Sequence, residues 1–105
     1  MIQCTCFVQA GQTADLRKDG LQIQLNDFTN SAFGADAQVA WVTVPEGNGF
    51  TAGQPSKSSV VAMTAAESLS PTHRETLLRE LVALWTTETG CSVDDVVAVI
   101  SDPTH

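Results

Sequence analysis

The sequence predicts a two-layer α/β domain of α+β character built from two β-α-β units in tandem. Three observations carry this. The stretch IQCTCFV at residues 2–8 alternates with period two, as a half-buried strand does. Two amphipathic stretches leave through glycines, Gly34 and Gly90, into valine-rich runs. Overlaying the chain on itself at a shift of 56 brings Leu21 onto Leu77, Leu25 onto Leu81, Phe28 onto Leu84 and Gly34 onto Gly90, an internal repeat.

In the first strand Ile2, Cys4, Cys6 and Val8 share one face, with Gln3, Thr5 and Phe7 on the other. AGQTAD then breaks the strand, and Thr13 is placed to cap a helix running to about residue 32. Leu21, Leu25, Phe28 and Ala32 form its apolar stripe, while Gly20 weakens it by about 1 kcal/mol relative to alanine. QVAWVTV (38–44) is the second strand. PEGNGFTAGQPSKSS (45–59) is a loop with room for a short hairpin, and it joins pseudo-repeats of about 1–45 and 58–103 within one domain, 1–105. VVAMTA (60–65) is the third strand.

Ser70 followed by Pro71 is a cap and a first helical residue. That helix runs to Glu88 with Leu77, Leu81, Leu84 and Trp85 at helical spacing, and Glu75 and Arg79 form an i,i+4 pair. VDDVVAVI (93–100) is the last strand.

Composition narrows the partners. Hydrophobic residues make 43% of the 105, enough for a core. Twelve acids against five bases give a net charge of −7, with no basic cluster, which disfavours nucleic acid and anionic membranes. No apolar run approaches the roughly 20 residues of a membrane span, and no secretion signal precedes the first strand. Three cysteines, an odd number, then fit free thiols in a reducing cytosol, so the expected compartment is the cytoplasm.

RETLLRELVALWTTETGCSVDDVVAVISD, with its helix, glycine exit, acidic turn and strand ending in an acid, resembles the second half of a tautomerase-superfamily unit. GNGFTAGQP is similar to that family's aromatic-plus-glycine loop. The whole chain resembles the fused members of the superfamily, whose relatives include 4-oxalocrotonate tautomerase and macrophage migration inhibitory factor. The resemblance implies four strands in one mixed sheet with two helices on one face, a homotrimer, no cofactor and a small-molecule ligand. It also implies an amino-terminal proline as acid or base, with its pKa lowered in an apolar pocket, and arginines that bind a substrate carboxylate.

This chain departs from that pattern at the chemistry. Ile2 stands where the proline belongs, leaving the Met1 amine as a base one residue out of place. Gln12 follows the first strand where an arginine is expected, and Ala40 or Trp41 takes the second-strand position. Glu67 follows the third strand, where it would repel a carboxylate. Met1, Ile2, Gln12, Trp41, Glu67 and the loop residue Phe50 are the candidate site.

Other chemistry-bearing residues have plainer readings. Cys4 and Cys6 supply two thiols of the four ligands a structural zinc needs, and Cys91, His73 and His105 are not spaced as the remainder, so no metal is expected. A disulfide between Cys4 and Cys6 within an extended strand would be strained, and core packing is the simpler role. His73 is a surface residue of a first helical turn, His105 a terminal one, Trp85 a core residue, and Asp94 with Asp95 a solvated turn. Three functions stay open: a small-molecule-binding trimer without ordinary tautomerase activity, an active keto-enol isomerase or lyase using another base, and a ferredoxin-like interaction module with the same element order.

Overall fold

The computed structural model describes residues 1–45, 48, 50–51, 54–55 and 58–103, with only the backbone at 50, 51, 54 and 55. His105 and the remainder of the 45–59 loop lie outside the described residues. The elements follow in chain order: β1 (Ile2–Gln9), α1 (Thr13–Leu16), α2 (Lys18–Phe33), β2 (Ala37–Val44), β3 (Phe50–Thr51), β4 (Gln54–Pro55), β5 (Ser59–Thr64), α3 (Pro71–Thr89) and β6 (Val96–Ser101). A single 3-10 turn at Val93–Asp95 precedes β6.

The main sheet runs β2-β1-β5-β6. β1 is parallel to β2 and β5 parallel to β6, while β1 and β5 meet antiparallel at the centre. Each β-α-β unit keeps its two strands adjacent, whereas the ferredoxin-like arrangement splits them, so that alternative is excluded. β3 and β4 make the short antiparallel hairpin inside the loop.

Both long helices cover one face of the sheet. The core joins Ile2, Cys4, Cys6 and Val8 of β1 to Leu21 and Leu25 of α2, Leu77, Leu81 and Trp85 of α3, and Val61, Met63, Val96 and Ile100 of β5 and β6. Residues on the other face alternate with these along the strands of the main sheet, and Phe7, Val42, Val97 and Val99 stand exposed there.

Three details differ from the sequence reading. Thr13 is the first helical residue rather than the cap. Gln12 takes the cap position without a side-chain hydrogen bond, and the Asp15 carboxylate instead accepts from the Gly11 N–H at 3.0 Å. The predicted single helix breaks at Arg17 (φ −111°, ψ 20°), where Lys18 bonds back to Asp15 at 2.8 Å and across to the Thr43 hydroxyl at 2.9 Å.

The repeat also needs two shifts. Its helices superpose at 56, but the inward residues are odd-numbered in β2 (Val39, Trp41) and even-numbered in β6 (Val96, Ala98, Ile100), so the strands superpose at an odd shift. From the glycine to the start of the next strand the second unit is three residues longer, and the 3-10 turn at Val93–Asp95 takes them up. A strand shifted by one residue turns its apolar set to the wrong face, so the sheet enforces this offset.

Candidate functional site

The two ends of β1 hold different parts of the candidate set. At the start, Met1 is exposed, whereas the Ile2 side chain is only 3% exposed and its amide donates to the Asp36 carbonyl at 2.8 Å. Continuing the antiparallel register past Cys4–Met63 sets Ile2 opposite Ala65, which brings Glu67, exposed, to the same end. At the other end, after the turn at Gly11, lies Gln12, also exposed. Eight strand residues at about 3.3 Å each put Met1 and Gln12 more than about 20 Å apart.

Trp41 belongs to neither end. It sits mid-strand under the helices, its ring centroid 6.4 Å from that of Trp85, and its indole N–H donates to Gln22 Oε1 at 3.2 Å. Ala40, the alternative at that position, faces the helix-free side and is exposed. The Phe50 side chain lies outside the described residues.

Cys4 and Cys6 are buried side by side, Sγ to Sγ 3.9 Å, beneath the helices. The hydrogen bond shared with Cys4 and burial together push the Cys6 thiol far above its usual range. All three cysteines are free. Among the described residues, no three His, Cys, Asp or Glu side chains come together as metal ligands would.

One cation at the Met1 end escaped the sequence reading. Arg74, in the first turns of α3, donates to the carbonyls of Leu69 and Ile100 at 3.2 Å and to Asp102 Oδ1 at 2.5 Å. Asp102 also accepts the Leu69 N–H at 3.1 Å. Beside Arg74, and with that amide bond, its carboxyl is held below the usual carboxylate range. Arg74 thus ties the segment after β5 to the end of β6, with its guanidinium turned toward protein acceptors.

A cavity of about 250 Å³ opens at the Gln12 end. Gln12 and Thr13 line it from the turn after β1, Ser59 from the start of β5, and Cys91, Ser92 and Asp95 from the turn after α3. Ser92 caps the 3-10 turn by accepting the Asp94 N–H at 3.2 Å, which fixes the carboxylate-bearing segment. Sequence reasoning placed Gln12 but gave Ser59 no role. These residues come from three distant segments, and only the parallel β5–β6 pairing, with Ser59 opposite Val96, brings them together.

Among the described residues, no helix is long and apolar enough to cross a membrane. No protein-family model matches the sequence, and no curated protein matches it. Solved structures do match. The native protein Ps01740 superposes with a TM-score of 0.85 at 19% identity, over 96% of this chain and 93% of its own. Pt0534, crystallised after inactivation by 2-oxo-3-pentynoate, gives 0.82 at 22% identity over 96% and 85%. A fused 4-OT wild-type symmetric trimer gives 0.81 at 17% identity over 96% and 85%. The chain therefore has the fused, duplicated β-α-β fold of the tautomerase superfamily.

Proposed function

We propose that this protein is a small-molecule-binding homotrimer on the tautomerase-superfamily fold that lacks ordinary proline-dependent tautomerase activity. The observation that carries the loss of activity is the state of Ile2. With Met1 in place its nitrogen is a peptide nitrogen, whose lone pair is delocalised into the carbonyl, and it already donates to Asp36. Neither a proton acceptor nor a nucleophile remains at that position. The lack of an arginine at Gln12, and the negative Glu67, remove the groups that would hold a carboxylate substrate.

Assembly is supported by the helix-free face. Phe7, Val42, Val97 and Val99 are 39–52% exposed on it, and β2 and β6 leave open edges. The trimeric state of a structurally similar fused 4-OT favours the same number of copies here. Because Met1 and Gln12 lie at opposite ends of β1, a site that used both would be completed by a second copy.

The test is an assay of enol substrates such as phenylpyruvate on the unaltered protein and on Ile2→Pro processed to expose the proline, with sedimentation run on both. Silence of the unaltered protein and a trimeric mass are expected. Turnover of an enol by the unaltered protein, lost on blocking its amino terminus, would overturn the loss of activity. A monomer at micromolar concentration would overturn the assembly.

A further inference from the structure

The cavity at the Gln12 end has a chemistry opposite to that of a carboxylate site. Among the described residues its lining contains one carboxylate, Asp95, and no Lys, Arg or His. Lys18, from the neighbouring helix, is occupied by Asp15 and Thr43. Ser59 is only 4% exposed, yet its hydroxyl has no hydrogen-bond partner among the described residues, although it lines the cavity. Among the described residues the buried side-chain polar atom without a partner is Trp85 Nε1, so the Ser59 hydroxyl is not sealed in the core but opens to the cavity, where an entering donor reaches it. The side chains of Gln12 and Asp95 likewise make no hydrogen bond or ion pair among the described residues.

We infer that this cavity binds a small primary amine in its ammonium form. An ammonium carries three donors and no acceptor, and the cavity offers it three acceptors: the Asp95 carboxylate, the Ser59 hydroxyl and the Gln12 amide oxygen. Ala14, buried, and the Cys91 sulfur give the remaining wall a soft, apolar character suited to a short alkyl tail. The volume lies below the roughly 300–1,000 Å³ of pockets for larger ligands, which limits the occupant to a small molecule. The charge of −7 on the whole chain favours a cation over an anion at every approach. The lining residues named here all belong to one chain, and the inference uses neither Met1 nor a proline at position 2.

Titration of the isotope-labelled protein with butylamine at neutral pH, followed by amide NMR, tests it. Butyrate at the same ionic strength is the control. Saturable shifts confined to Thr13, Gly90, Cys91, Ser92 and their neighbours are expected, with a Kd on the order of millimolar for so few atoms. Butyrate should produce none. Asp95→Asn should weaken butylamine about tenfold, equal to about 1.4 kcal/mol, and butylamine should slow alkylation of Cys91. Ser59→Ala, a change smaller than the cavity, should weaken binding without altering the rest of the spectrum. No saturable shift with butylamine, equal shifts with butyrate, or unchanged affinity in both variants with native spectra would each overturn the inference.

Discussion

Glu88 of α3 lies over Gly20 of α2 where the helices pack, so a Cβ built on Gly20 would collide with Glu88 Oε1. The obstacle is the end of a flexible side chain. Gly20→Ala should therefore gain about 1 kcal/mol of helix propensity and lose a similar amount by displacing Glu88, for a net change within about 1 kcal/mol. In a Glu88→Ala background the same change should stabilise by about 1 kcal/mol. Urea denaturation of the four proteins measures both, and a loss of several kcal/mol in both backgrounds would mean that backbone, and not Glu88, blocks the site.

Trp85 is fully buried, and its indole N–H has no partner among the described residues. Trp85→Phe deletes that donor along with part of the ring, so relief of an unpaired group offsets some of the lost packing. Its cost should stay below about 2 kcal/mol, against about 3–5 kcal/mol for Trp85→Ala. Equal losses in the two variants would show that the N–H is satisfied in solution.

The Arg74–Asp102 pair should give an acid-dependent term. The folded pKa of Asp102 lies below its ordinary 3.8, so its stabilisation is complete at neutral pH and is lost as pH falls through the folded value. The Tm gap between the protein and Asp102→Asn should thus be widest above about pH 5 and close toward pH 2. Asp15, lowered by Lys18 and the Gly11 amide, follows the same sign. A gap that persists unchanged into acid would remove the ion pair as its cause.

Gly90 ends α3 at φ 73°, and among the described residues nothing lies within 4 Å of a Cβ placed there. Gly90→Ala should cost about 1–2 kcal/mol through backbone conformation alone, and Gly90→Asn less, because asparagine tolerates the left-handed region. Thermal melts compare the two, and equal Tm values would contradict the left-handed exit.

Phe7 and Val99 lie on the helix-free face, on β1 and β6. If this face is the assembly surface, Phe7→Asp and Val99→Asp should each lower the sedimenting mass to that of one chain while leaving the circular dichroism of the monomer in place. Unchanged mass in both variants would place the contact elsewhere.

The helices and their exits were legible because local rules settle them. Ser70 accepts the His73 N–H at 3.2 Å, Pro71 follows it, Gly34 and Gly90 adopt left-handed φ, and Glu75 meets Arg79 at 2.6 Å. His73 is exposed and Cys4 and Cys6 are buried, as their positions implied. The turn after β1 was not legible, since whether Thr13 or Asp15 satisfies the free amides depends on how Lys18 is drawn to Thr43, a partner 25 residues away.

By itself the sequence determined the two β-α-β units, the inward faces of β1 and both helices, and the absence of a proline at position 2, because periodicity and residue identity are local. Only the tertiary structure decided the strand order that excludes the ferredoxin-like arrangement, the separation of Met1 from Gln12, and the odd shift between β2 and β6. It alone decided, too, that Ser59 and Asp95 share a cavity. Each depends on which strands pair and in what register, and hydrogen bonding along a sheet fixes that between residues far apart in the chain.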